Sequence, residues 1–279
     1  MITNYLKLAW RNLTKNLQFS LLNLVGLATG LACAILIYLW TSSEFHVNRF
    51  NANDDRIYQV MQPVPGGNGA LPNTPGLLAS ALSKEMPEVE YAASVIPPTW
   101  FDNKGLFSAG EAHIRGDAQF VSKDYFKIFD CHFTAGASNA LFENKNTIAI
   151  STGLAKSLFG TTNNIIGRII DWDQQDFHEN YIVTGVFERF PANSVIQFDA
   201  IFNYARFLDK RPQLSNWNNN DPSTYLLLKK GADVGHFNKK IASFLRLRMT
   251  SPQKSYMPSA FPTHTCTIII QMEFPTAAE

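Results

Sequence analysis

The chain has 279 residues, with 24 lysines and arginines against 23 aspartates and glutamates, for a net charge of +1. That balance, with no basic run outside the N-terminal flank, gives no argument for a nucleic-acid partner. The three cysteines, Cys33, Cys131 and Cys266, lie in distant segments, so no intradomain disulfide framework exists, and the roughly 200 residues after the first apolar run must rest on one sizeable core or two small ones.

Residues 1–17 read as an interfacial amphipathic helix. Ile2, Tyr5, Leu6, Ala9, Trp10 and Leu13 recur at helical spacing, with Asn4, Lys7, Arg11 and Lys15 opposite, so cations would meet anionic headgroups while Tyr5 and Trp10 sit at boundary depth. The competing reading is the plain cationic flank of a membrane anchor. Residues 18–43 read as a transmembrane helix: from Leu17 to Ser43 there is no Asp, Glu, Lys, Arg, His or Pro. Phe19 to Thr41 as helix spans roughly 34 Å, against ~30 Å of hydrocarbon. A cleaved signal peptide is the weaker alternative, because Ala32-Cys33-Ala34 sits in the middle of the run with Ile35 to Trp40 still to come. Lipidation of Cys33 is disfavoured by Gly30, which stands where a branched apolar residue is wanted. Gly26 and Gly30 form a G-x-x-x-G pair through which another helix could approach, with Thr29 as a small polar neighbour. Lys7, Arg11 and Lys15 precede the span without an acid, and Glu44, His46, Arg49, Asp54, Asp55 and Arg56 follow as a mixed set. The expected topology has the N-terminus in the cytoplasm and residue 44 onward outside.

Residues 44–250 read as a folded α+β domain of two subdomains. Strands are expected at Arg56–Val64 and Glu90–Ile96, with a Pro/Gly loop from Pro63 to Pro75 and a helix carrying Leu77, Leu78, Ala81, Leu82 and Met86 between them. Short strands follow at Glu111–Arg115 and Ala118–Val121, then a helical turn at Asp124–Phe129 presenting Tyr125 and Phe126 to an apolar neighbour. Thr147–Ser151 is a β-branched strand, Thr152–Phe159 a helix stopped at Gly160, and Ile166–Asp171 and Tyr181–Phe187 are further strands. The last elements are a strand at Thr224–Leu228 and a helix with Phe237, Ile241, Phe244, Leu245 and Arg248 at helical spacing.

The acidic stretch from Asp171 to Asn180 lacks the central glycine and the ligand spacing of a calcium loop, so it reads as a solvated hairpin connection. There is no G-x-x-x-x-G-K-[ST] phosphate loop, no G-x-S-x-G elbow and no H-E-x-x-H pair. The six histidines are scattered, and Cys131-His132 are sequence neighbours rather than a placed nucleophile and base. No catalytic, cofactor-binding or metal-ligating residue is expected, and the chain by itself should not hydrolyse ATP.

Asn4-Tyr5-Leu6-Lys7-Leu8-Ala9-Trp10-Arg11-Asn12-Leu13, the span, Arg49-Phe50 and Asp55-Arg56-Ile57-Tyr58-Gln59-Val60 resemble the opening of bacterial ABC transporter permeases of the MacB/FtsX type. Ile150-Ser151, Ala155-Lys156, Leu158-Phe159-Gly160, Ile166-Gly167-Arg168, Tyr181-Ile182-Val183-Thr184-Gly185-Val186-Phe187 and Pro191-Ala192-Asn193-Ser194 resemble the periplasmic core domain of that family, in order and spacing. The resemblance covers about residues 1–250. It implies a non-catalytic permease subunit in the bacterial cytoplasmic (inner) membrane, with a separate ABC ATPase subunit, a second permease copy or half, and the lipid bilayer as partners. Cytoplasmic ATP hydrolysis would then drive export or periplasmic movement.

Residues 251–279 read as an irregular tail where the family would place a second span. Permissible codons for it, taken two bases on, give a peptide resembling the segment with which these permeases return to the membrane, so a frameshifted, truncated permease is expected; a genuine short tail is the alternative. Two other function classes compete. A single-pass, membrane-anchored extracytoplasmic binding or sensor protein is the nearer, although about 17 cytoplasmic residues cannot hold a folded output domain. A tethered hydrolase is disfavoured by the missing catalytic constellation.

Overall fold

The computed structural model describes residues 5, 11, 15, 17–45, 53–63, 69–190, 197–249 and 268–271. The chain divides into two units, one around a long N-terminal helix and one within residues 48–273. In the first unit α1 (Leu17–Phe45) runs without interruption.

The second unit is mixed α+β. Its elements in chain order are β1 (Ile57–Pro63), β2 (Ala70–Leu71), β3 (Asn73–Pro75), α2 (Leu78–Glu85), β4 (Val89–Ile96), β5 (Gly105–Ala109), β6 (Ala112–Gly116), β7 (Ala118–Val121) and α3 (Tyr125–Ile128). There follow β8 (Phe133–Gly136), β9 (Thr147–Ser151), α4 (Thr152–Phe159), β10 (Ile169–Gln174), β11 (Phe177–Phe187), β12 (Ala200–Asn203), α5 (Tyr204–Lys210), β13 (Asn220–Leu228), α6 (Val234–Met249) and β14 (Ile268–Gln271). The strands join one sheet in the order β14-β1-β13-β4-β7-β12-β9-β11-β10-β5-β6, with β2 on β1, β3 on β13 and β8 on β11. Pairing is antiparallel except for β12 with β7 and β11 with β9.

This order makes one part of the domain an insertion in the other. β1, β13 and β4 form the first part, with α2 and α6 packing Leu78, Leu82, Phe237, Ile241 and Leu245 over Val60, Leu226 and Leu228. The chain leaves after β4, builds the rest of the sheet, and returns at β13. The parts meet where Val95 and Ile96 pair with Val121 and Phe120, and where Phe129 packs edge-on against Tyr225 at 5.2 Å. The inserted part is centred on rings: Phe120, Trp172, Phe177, Tyr181, Phe202 and Phe207 form one cluster, with Trp172 and Phe202 4.3 Å apart. Gly105 is required there, since a Cβ at that position would run into the Trp172 indole and the Gln174 amide.

Local signals set several boundaries. The Ser151 Oγ accepts the Leu154 N–H at 3.1 Å and starts α4, and Gly160 ends it at φ +70° with its N–H on the Lys156 carbonyl. Elsewhere the structure departs from expectation. The segment 171–180 is not a solvated connection: β10 and β11 pair through it, from Ile169↔Ile182 to Gln174↔Phe177. Trp172, Gln174 and Phe177 point inward while Asp171, Asp173 and His178 point out, a period-2 pattern in which Glu179 is the acid on the inward side, opposite Trp172 and half-buried. Strands β5, β8 and β12 and helix α5 lie where no element is expected from the sequence, and β2 and β3 in the expected Pro63–Pro75 loop. As expected of the turn at 124–129, Tyr125 packs among apolar neighbours, and its hydroxyl accepts from Gln119 Nε2 at 3.0 Å. In the segment read as an irregular tail, Ile268–Gln271 pairs with β1 from Tyr58↔Gln271 to Met61↔Ile268; three consecutive β-branched residues fit an open sheet edge. Val64 lies outside the described residues.

Candidate functional site

The first candidate is the helix itself. An 18-residue stretch within its segment Leu17–Thr41 has a mean hydropathy of 2.1, and none of that stretch is buried within the chain. Successive side chains are exposed all round the axis, from Leu21, Leu22, Leu24, Val25 and Leu27 to Ile37, Tyr38, Leu39 and Trp40. Each Leu or Ile left in water forgoes about 1.5–3 kcal/mol of burial, so a helix whose exposed leucines and isoleucines surround its axis fits an apolar medium. At ~1.5 Å per residue the segment is long enough to cross a bilayer. Within the helix Thr29 Oγ1 donates to the Val25 carbonyl at 2.8 Å. Gly26 and Gly30 sit on open surface, where a Cβ would meet nothing within 4 Å. Tyr5, Arg11 and Lys15 are helical and exposed; Lys7 and Trp10 lie outside the described residues.

The second candidate is the rim of the domain that residues 46–56 join to the helix. A short 3-10 turn, Asp54–Arg56, opens β1. Arg56 Nη1 donates to Glu90 Oε2 on β4 at 2.7 Å and to the Leu228 carbonyl at the end of β13 at 2.9 Å. Its Nη2 donates to Asn53 Oδ1, and the side chain is 13% exposed. One guanidinium therefore spans three neighbouring strands, which Arg can do because its planar fork carries five donors. On the same rim the Lys229 N–H donates to the Glu88 carbonyl, and Lys240 Nζ donates to Glu88 Oε1 at 2.7 Å. That hydrogen bond holds the Glu88 carboxyl below its ordinary range, against a smaller opposing push from burial. Arg248 pairs with Glu85 at 2.6 Å and lies over the Phe244 ring.

In the inserted part, α5 is tied to the β10–β11 hairpin. Glu179 Oε2 accepts from Arg206 Nε at 2.7 Å, Lys210 Nζ lies 2.9 Å from Glu179 Oε1, and Arg211 pairs with Asp176. Burial pushes the Glu179 carboxyl up, but the hydrogen bonds from Arg206 and Lys210 together outweigh it and the net shift is downward.

Burial pushes the Cys131 thiol up to about 12, while His132 is exposed and faces Glu188 at 3.5 Å, so the pair supplies no thiolate near neutral pH. Among the described residues no group of three or more His, Cys, Asp or Glu could hold a metal ion. The partners of Arg56 escaped the sequence reading because Glu90 and Leu228 are 34 and 172 residues away; only the strand order brings them together.

The profile of the MacB-like periplasmic core domain matches residues 20–244. No curated protein matches the sequence. Among solved structures, a domain assigned to a permease protein of Porphyromonas gingivalis superposes with a TM-score of 0.64 at 18% identity, covering 82% of this chain and 95% of that one. The periplasmic region of MacB from Actinobacillus actinomycetemcomitans gives 0.53 at 12% identity, over 77% of this chain and 88% of its own. The extracellular domain of the noncanonic ABC-type transporter YknZ from Gram-positive bacteria gives 0.54 at 12%, over 77% and 99%. At these identities the superpositions speak for the fold alone, while the profile spans most of the sequence and takes in both the helix and the domain. The chain belongs to the family of the MacB-like periplasmic core domain.

Proposed function

We propose that this chain is a non-catalytic permease subunit of an ABC transporter or mechanotransmission complex, coupling ATP hydrolysis by a separate cytoplasmic ATPase to export or movement outside the membrane. The observation that carries the reading is the covalent run from a long, predominantly apolar helix into a MacB-like domain. On this reading the N-terminal cations stay in the cytoplasm, residues 44–279 are periplasmic, and Tyr5, Lys7, Trp10, Arg11 and Lys15 lie at the inner interface. Gly26 and Gly30 then offer the face on which a helix of a second permease copy or half packs. Residues 251–279 fall beyond the profile match, in keeping with an out-of-frame segment, whereas the pairing of Ile268–Gln271 with β1 favours a genuine tail; sequencing the DNA across codons 250–279 decides between them.

The topology is tested on the full chain, with its own cysteines replaced, in intact cells. Glu111, in the exposed β5–β6 turn, takes the outer label. An impermeant thiol reagent is expected to label Glu111→Cys and to spare Asn4→Cys; the opposite pattern inverts the topology and removes the basis for a cytoplasmic ATPase partner.

A further inference from the structure

A subunit that transmits movement must pass force from its span into its domain, and in this chain that force enters through residues 46–56 at the root of β1. Resting on the permease reading above, we propose that Arg56 is a strand-root clamp, a positioning residue that spreads load from β1 onto β13 and β4. β1 is held to β13 by the pairs from Ile57↔Leu227 to Val60↔Thr224. A pull on the end of a strand tends to peel it one rung at a time, so the first rung sets the resistance. Arg56 sits beside that rung. Its bond to the Leu228 carbonyl ties the root of β1 to the end of β13, and its bond to Glu90 passes beyond β13 to β4, whose Val89 pairs with Leu228. Asn53 holds the other nitrogen and draws the incoming turn against the same group. The Arg56 side chain is 13% exposed and its bonds to Leu228 and Asn53 are partly shielded from water, whereas the Glu90 carboxylate is 36% exposed, so the charge-assisted tie to β4 is the more open arm of the clamp. With it in place the first rung opens only when bonds to two further strands break together.

The clamp differs from a merely stabilising contact in being specific to direction. The full chain in lipid nanodiscs is pulled at constant force between handles at positions 48 and 110, which loads β1, and separately between 110 and 163, which loads the inserted part alone. Arg56→Met is expected to raise the rupture rate about tenfold in the first geometry, the order expected for losing one charge-assisted hydrogen bond, and to change it less than twofold in the second. Arg56→Lys, which keeps the charge but lacks the fork, and Glu90→Gln give smaller increases in the first geometry only, and they carry the test if Arg56→Met does not fold. Equal acceleration in both geometries, or none in either, overturns the proposal. A chain that fails to couple to an ATPase leaves this measurement unchanged, so the clamp and the permease reading fail separately.

Discussion

Replacing Trp172 by alanine is the sharpest probe of the inserted part of the domain, because the same residue would be harmless to lose from a solvated connection. Its side chain is fully buried, with ring centroids at 4.3 Å to Phe202, 5.3 Å to Phe177, 5.7 Å to Phe120 and 6.0 Å to Tyr181. Truncating a buried tryptophan costs about 3–5 kcal/mol, the lost transfer energy plus the cavity it leaves. For a domain of this size each kcal/mol lowers Tm by roughly 2–4 °C, so Trp172→Ala should lower it by about 6–20 °C, measured by far-ultraviolet circular dichroism on the full chain in nanodiscs. Asp173→Ala, one residue along on the water-facing side of β10, serves as the control and should shift Tm by less than about 2 °C. Trp172→Phe is informative in another way. The indole Nε1–H has no hydrogen-bond partner in the protein, and a buried unmet donor costs about 1–3 kcal/mol. Losing that donor offsets part of the lost ring, so the phenylalanine variant should cost less than about 2 kcal/mol. If Trp172→Ala were as mild as Asp173→Ala, the hairpin would be peripheral and the account of the core wrong.

Glu179→Gln should destabilise the full chain by about 1–2 kcal/mol at pH 7, between the values for exposed and buried pairs. The Glu179 carboxyl is held low when folded, so its contribution is present above the unfolded pKa of about 4.3 and is lost as pH falls through the lower folded value; denaturant titrations should show the wild type and variant converging below pH ~4. Gly160→Ala should cost about 1–2 kcal/mol from backbone strain alone, since φ there is +70° and a Cβ would touch nothing; Gly160→Asn should cost less, and equal melting of all three proteins would exclude a left-handed cap.

The readable parts of the sequence were those whose signal is local. The apolar run of α1 needs no tertiary partner to be recognised, and β9–α4 carries its own punctuation in a β-branched run, the Ser151 cap and Gly160. What stayed hidden depends on the sheet. β8 and β12 are only four residues long, and β12 is placed by two neighbours from elsewhere in the chain, β7 in parallel and β9 antiparallel. β10 and the start of β11 place Asp171, Asp173 and His178 on one face and Trp172 and Phe177 on the other, so composition favoured a loop while alternation would have favoured strands. α5 is a short aromatic and charged segment whose Phe207 is buried against rings of the inserted core and whose Arg206 and Lys210 answer Glu179 on β11. At the rim, Arg56 was visible as a cation near the membrane, but its role in joining three strands follows only from the order β1-β13-β4.

The claim at the centre of this account is that the cytoplasmic end of the chain meets an ABC ATPase. A photoreactive benzoyl-phenylalanine in place of Arg11, which is helical and exposed, tests it in native membranes, with the same group in place of Glu111 as the outer control and the adducts identified by mass spectrometry. The account predicts a covalent adduct between position 11 and a protein carrying a G-x-x-x-x-G-K-[ST] phosphate loop, and none from position 111. Adducts from position 11 that contain no such ATPase, with lipid and a second copy of the chain as the only products, would contradict it.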